Sequence, residues 1–196
     1  MGRGGKVMSD VQEQKKTSIL KITINLAVTC LVSGLILACA YYITHPIAVQ
    51  KAKMLEEMSM KELVPTAETF SAVNGHNGMN EAKSAGKVVA YVMSEAPKGY
   101  GGAIDMLVAV SSDGKVLNFN ITSSNETPGL GSKASDAPFK NQFPGKTAAD
   151  LIVTKDASKK NNIQAMTGAT ITSKAVTKGV KEAVNAVADY TGGKKK

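Results

Sequence analysis

Apolar residues follow one another along this chain in three different rhythms. Between Ile22 and Ile43 they are nearly continuous: ITINLAVTCLVSGLILACAYYI is 22 residues without a charge, about 33 Å of helix against the ~30 Å hydrocarbon core of a bilayer. Further on they come in short β-rich runs, Val88 to Ser94, Ile104 to Val110 and Lys115 to Thr122, the last alternating with Leu117, Phe119 and Ile121 on one face. Ser112-Asp113-Gly114 separates the second run from the third, and Asp-Gly supplies the positive φ of a tight hairpin turn. From Ser173 to Tyr190 the spacing becomes three and four. Val176, Val180, Ala183, Val184 and Val187 then share one helical face, with Lys178, Lys181, Glu182 and Asp189 off it.

The segments between these runs complete the outline. Ile47 to Leu63 lacks Gly and Pro and is rich in Met, Glu, Lys and Ala, so a helix continues from the apolar stretch until Pro65. Thr66 to Gly86, with Asn74-Gly75 and Asn77-Gly78, reads as a turn-rich connection partly ordered as short strands. Thr172 or Ser173 suits the N-cap of the closing helix, and Gly192-Gly193 its end. The expected architecture is α+β: one N-terminal transmembrane helix, then a domain with a small, mostly antiparallel sheet and flanking helices. The boundaries that follow are an N-terminal segment 1–21, a membrane helix 22–43, a helical connector 44–65, a folded domain 66–191 and a basic tail 192–196.

Charge orients the membrane helix and removes one class of partner. Lys and Arg number 24 against 16 Asp and Glu, a net +8. Arg3, Lys6, Lys15, Lys16 and Lys21 precede the apolar stretch, and only Lys51, Lys53 and Lys61 follow it closely. This bias places the N-terminus in the cytoplasm and the domain on the outer side of the cell membrane, in a single-pass topology. No basic run is interleaved with aromatic rings that could stack on bases, so no nucleic acid is expected. Tyr41 and Tyr42 stand where an interfacial belt would lie, and Thr23, Asn25, Thr29 and Ser33 suit contact with neighbouring helices besides lipid. A cleaved signal peptide would need a shorter core and a small-residue site. Ile36-Leu37-Ala38-Cys39 resembles a lipobox that would make Cys39 an acylated N-terminus, although Leu37 fits it poorly and the apolar run continues to Ile43. Cys30 and Cys39, nine residues apart, face opposite sides of a helix and cannot bridge within it.

Side chains that usually carry catalysis are scarce. His45 and His76 are the only histidines, and G-x-G-x-x-G, Walker and Cys-x-x-Cys patterns are missing. No triad, metal centre or nucleotide fold is indicated, and no independent active site is expected. Three loops stand out instead: Lys98-Gly99-Tyr100-Gly101-Gly102 before the strand at Ile104, Glu126-Thr127-Pro128-Gly129-Leu130-Gly131 after the strand ending at Thr122, and Thr167-Gly168-Ala169-Thr170 before the closing helix. Each by itself is an ordinary turn. Read together they suggest more. Gly168 admits a backbone conformation closed to other residues, Ala169 leaves the loop uncrowded, and Thr170 presents a hydroxyl beside a helix start, where free N–H groups and the helix dipole stabilise an anion. A phosphate esterified to Thr170 would sit well there, with the two glycine loops as lids for a flat ring.

These residues carry a resemblance to a known family. ETPGLG at Glu126 to Gly131, GYGG at Gly99 to Gly102 and TGATITSKAV at Thr167 to Val176, behind one N-terminal membrane helix, resemble the FMN-binding G subunit (RnfG) of the Rnf electron-transport complex, over roughly residues 20 to 190. Similar motifs occur in the C subunit of the sodium-pumping NADH:quinone oxidoreductase, for which this chain is short. The resemblance implies a single-pass subunit of an ion-translocating ferredoxin:NAD+ oxidoreductase that relays electrons among other membrane and redox subunits. It implies FMN joined through its phosphate to the last threonine of the motif, Thr170, by a flavin transferase using FAD, with Thr167, Gly168 and Ala169 forming the rest of the attachment loop. On this reading Tyr100, Glu126, Thr127, Gly129, Leu130 and Gly131 hold the ring. The chain departs from the family pattern at Gln164, where Asp is usual. The alternatives are the quinone-reductase subunit and, from another class, a cofactor-free membrane-anchored binding or assembly protein.

Overall fold

The computed structural model describes residues 4–156, 158–159 and 161–194; Arg3, Lys195 and Lys196 lie outside them. The chain divides into two compact units, Met1–Lys53 and Met54–Lys196. The first is carried by α1, Gly4–Leu63, which runs through Pro46 without a break and continues into the second unit. The helix thus begins well before Ile22, inside the segment 1–21. Among the described residues it is the one helix long and apolar enough to cross a membrane, with mean hydropathy 2.2 over its most apolar window. Leu31 and Leu37 are 70% and 71% exposed on it. In water that much bare aliphatic surface is costly, whereas lipid covers it.

The second unit is built on a five-stranded antiparallel meander, β1 (Thr69–Ala72), β2 (Met79–Ser84), β3 (Lys87–Glu95), β4 (Ile104–Ser111) and β5 (Val116–Ser124), paired in that order. The stretch 66–86 therefore supplies two full members of the sheet. Its polar strands lie at one side of the sheet, β1 at the very edge, where half-buried residues are tolerated. Gly114, with φ +78°, closes the hairpin between β4 and β5. The expected face of β5 needs one correction. Val108 pairs with Phe119 and Ala109 with Asn118, but Val110 pairs with Val116. Leu117 is the extra residue of a bulge, so it is 39% exposed while Val116 and Phe119 are buried.

Helices cover both faces of this sheet. Met106, Val108, Val110, Val116 and Phe119 face Val176, Val180, Ala183, Val184 and Val187 of α3 (Thr170–Lys194). On the opposite face Ala82, Ala90, Val92, Leu107 and Ala109 pack against Met60, Leu63, Val64 and Ala67, the end of α1 and the turn after it. Between β5 and α3 the chain forms a 3-10 turn, Gly131–Ser135, a short α2, Ala137–Lys140, and a parallel pair, β6 (Val153–Thr154) and β7 (Ile163–Gln164). Gly179 brings α3 close to the sheet: a Cβ there would lie 2.8 Å from Pro97 Cγ and 3.2 Å from the Met106 sulfur.

Candidate cofactor site

The closing helix starts earlier than its hydroxyl residues suggest. The Ser173 N–H donates to the Ala169 carbonyl at 2.9 Å, which makes Thr170 the first helical residue. Neither Thr172 nor Ser173 is the N-cap. Their hydroxyls are employed elsewhere: Ser173 Oγ donates to the Ala169 carbonyl at 2.9 Å and accepts the Met166 N–H at 3.0 Å. Gly192 and Gly193 lie inside α3, which reaches Lys194. Gly168, at φ +78°, turns the chain into the helix, and a Cβ on it would press Leu130 at 3.1 Å. The N–H groups of Thr170, Ile171 and Thr172 precede the first intrahelical bond, so they point out of the positive end of the helix.

Glu126 joins the three loops. Its side chain is buried, and it accepts the Gly101 N–H on Oε1 at 3.0 Å and the Thr172 hydroxyl on Oε2 at 2.6 Å. The room for it comes from missing side chains. A Cβ on Gly99 or on Gly131 would overlap the Glu126 carboxylate, and one on Gly101 would overlap the Asn125 carbonyl. Gly99, Gly101 and Gly131 are therefore space for a carboxylate and a neighbouring backbone, whereas a Cβ on Gly102 or Gly129 would meet nothing within 4 Å. The GYGG loop is closed by the Gly99 N–H donating to the Gly102 carbonyl at 2.7 Å.

Around this junction lies a cavity of about 660 Å³, lined by Tyr100, Glu126, Thr127, Leu130, Gly131, Gly168, Ala169 and Thr170 from the three loops, together with Lys155, Ile171 and Thr172. Small-molecule sites are commonly of this size. Tyr100, Leu130 and Ile171 line it while remaining 72%, 44% and 55% exposed, an apolar surround for a planar ring with polar groups beneath. A smaller cavity of about 250 Å³ adjoins the Thr167–Thr170 loop, lined by Lys155, Gln164, Ala165, Met166, Thr167, Gly168 and Thr170. Thr167 faces this second space. Gly129 lines neither; at φ +75° it shapes the loop, its N–H donating to Ser132 Oγ at 2.9 Å. Among the described residues no group of His, Cys, Asp or Glu is placed to hold a metal ion.

An FMN-binding domain family matches residues 99–185, the span that holds all three loops. The G subunit of the proton-translocating ferredoxin:NAD(+) oxidoreductase complex of Clostridium ljungdahlii is 54% identical over 93% of this chain and 99% of its own length. The G subunit of the Na(+)-translocating complex of Acetobacterium woodii is 37% identical over 82% of this chain and 89% of its own. The chain belongs to this G-subunit family. A solved structure of the C subunit of the Na(+)-translocating NADH-quinone reductase from Parabacteroides distasonis is 24% identical, with a TM-score of 0.48 over 58% of this chain and 61% of that one.

Within this G-subunit domain, sequence reasoning missed Lys155, Ile171 and Thr172. Thr172 and Ile171 stand inside TITSKAV and are found by asking which side chains of a first helical turn face back toward its loop. Lys155 has no local signal. It reaches the site because β6 pairs with β7, which leads into the Thr167–Thr170 loop. Gln164 also has a visible employment: its amide Nε2 donates to the Asp156 carbonyl at 2.9 Å and the Lys159 carbonyl at 3.5 Å. A carboxylate at that position could only accept.

Proposed function

We propose that this chain is the FMN-carrying electron-transfer subunit of a membrane-bound ion-translocating ferredoxin:NAD+ oxidoreductase, with FMN esterified through its phosphate to Thr170 by a flavin transferase. The observation that carries the reading is the position of Thr170, which is both the first residue of α3 and part of the wall of the cavity where the three loops meet. The site residues fit the group: free helix N–H groups for the phosphate, Leu130, Ile171 and Tyr100 as apolar surfaces for the ring, and a polar floor at Glu126 and Thr172. FMN supplies electron chemistry in one-electron or two-electron steps when bound. The protein's part is placement. Glu126 binds the GYGG loop to the first turn of α3, so the ring walls and the attachment point are held by one buried carboxylate. Partner subunits on either side in the sequence of electron transfer meet the cavity mouth, which Tyr100 and Ile171 leave open. The Lys and Arg bias puts the N-terminus of α1 in the cytoplasm and the domain outside.

Thr170→Ala abolishes covalent yellow fluorescence on a denaturing gel, and peptide mass spectrometry of the parent finds the flavin on Thr170. Flavin on another residue, or retained by Thr170→Ala, refutes the attachment point. A host without flavin transferase yields chain without covalent flavin. For topology, Ser112→Cys in a chain with Cys30 and Cys39 replaced by Ser reacts with an impermeant reagent in intact cells. Reaction only after lysis reverses the orientation.

A further inference from the structure

Lys155 is the one basic residue among the walls of both the 660 Å³ and the 250 Å³ cavities, and the two share it with Gly168 and Thr170. A lysine on a turn is ordinarily a mobile, solvated charge. This turn, however, is tied down from several directions. The Ala165 N–H donates to the Thr154 carbonyl at 2.8 Å, which sets the residue after β6 beside the start of the attachment loop. The Asp156 N–H donates to Thr154 Oγ1 at 3.0 Å, and Ser158 donates to Asp156 Oδ1 through its N–H at 3.0 Å and its hydroxyl at 2.7 Å. Those Ser158 bonds hold the Asp156 carboxyl below its usual range, so it stays an anion that accepts. The Gln164 amide completes the arrangement by reaching across to the carbonyls of Asp156 and Lys159.

Resting on the proposed attachment of FMN at Thr170, we infer that Lys155 is the counter-charge for the flavin's phosphate and that Gln164 is the positioning residue that keeps the Lys155 turn beside Thr170. The phosphate is favoured over the ring because Lys155 also lines the small cavity, whose walls include Thr167, Gly168 and Thr170 and lack Tyr100, Leu130 and Ile171. An ammonium on that side and the N–H groups of the first turn of α3 together surround an anion at the Thr170 hydroxyl. Gln164 performs its part as a donor, which the Asp of the family pattern could not.

The test uses the full chain made without flavin transferase, titrated at low salt with FMN and, separately, with riboflavin, which lacks the phosphate. The parent binds FMN about tenfold more tightly than riboflavin, the preference expected of one charge-assisted contact. Lys155→Gln lowers that preference several-fold, the rest being left to the helix N–H groups, Lys155→Arg keeps it, and Gln164→Met, which cannot donate, lowers it as Lys155→Gln does. Riboflavin affinity stays at the parent value in each variant, a readout that collapse of the site would not leave intact. A parent without preference for FMN, or a Lys155→Gln chain that keeps it, overturns the role of Lys155. A Gln164→Met chain with the parent's preference overturns that of Gln164. If FMN preference follows Lys155 while mass spectrometry of chain made with the transferase finds no flavin on Thr170, the attachment fails and the counter-charge stands.

Discussion

The two ends of α3 solve opposite packing problems. At its start the neighbours are glycines and hydroxyls: Gly99, Gly101 and Gly131 make room for Glu126, Thr172 bonds to it, and a cavity of about 660 Å³ is left open. At its far end the neighbours are rings. Tyr190 meets Tyr91 and His76 edge-on at 5.6 and 5.0 Å, and its hydroxyl donates to Glu81 at 3.0 Å. Aromatic edge contacts fill volume and fix geometry, so this end anchors the helix to the sheet. Glycines with a buried carboxylate do the reverse, holding loops in place while leaving space beside them. One helix thus has a fastened end and an open end, and the middle, where Gly179 meets Pro97, sets its distance from the sheet.

Added volume is most damaging at the open end. Gly101→Ala drives a Cβ into the Asn125 carbonyl, a backbone atom with little freedom to move, and costs about 3 kcal/mol together with loss of flavin loading. Gly131→Ala follows because its Cβ would overlap the Glu126 carboxylate. Thermal unfolding with flavin fluorescence on the same samples checks both; parent-like stability for Gly101→Ala breaks the comparison. Gly179→Ala comes next. Alanine favours a helix by about 1 kcal/mol over glycine, yet the contacts with Pro97 and Met106 make the substitution a net loss of about 1 kcal/mol. A gain in Tm would show that the helix has room to move away from the sheet.

At the fastened end, Tyr190→Phe keeps the ring contacts and removes the bond to Glu81, for about 1 kcal/mol. Its flavin loading and reduction potential match the parent's; a changed potential would mean that the two ends are coupled. The smallest effect is at Glu95, whose carboxyl is pushed above its usual range by partial burial and then by the charge of Glu182. A raised value in the folded state means that its favourable contribution is fully present below the unfolded value near 4.5 and is lost as pH rises through the folded one. Glu95→Gln therefore raises Tm slightly at pH 7, and the gain disappears by about pH 4. A gain that persisted in acid would assign the effect to packing.

Much of the fold is legible in the sequence because its rhythms are strong. The charge-free run within α1, the last three strands of the sheet and the Val stripe of α3 each carry a clear signal, a long unbroken apolar run in the first and a period in the others, and the structure has them. The bulge at Leu117 is not legible, since a perfect alternation of Leu117, Phe119 and Ile121 looks the same whether or not one residue is extruded by its partner strand. The true start of α3 is hidden because Thr172 and Ser173 are good caps locally. Only Glu126, 46 residues away in sequence from Thr172, gives that hydroxyl a different partner. The strands in 66–86 are faint because strands at the side of a sheet need no continuous apolar face of their own.

The sequence by itself determined where the membrane-length apolar run lies, where the last three strands of the sheet run, and that a valine-striped helix closes the chain after the Thr167–Thr170 loop. Local backbone preference and apolar periodicity are enough for those. What the tertiary structure decided is how the loops meet. Gly99 and Gly131 are spaces because of the Glu126 carboxylate and Gly101 because of the Asn125 carbonyl, Lys155 enters through the β6 and β7 pairing, and Gln164 has its donor role because the Asp156 and Lys159 carbonyls are brought to it. These depend on contacts between distant segments, whose geometry no local rhythm encodes.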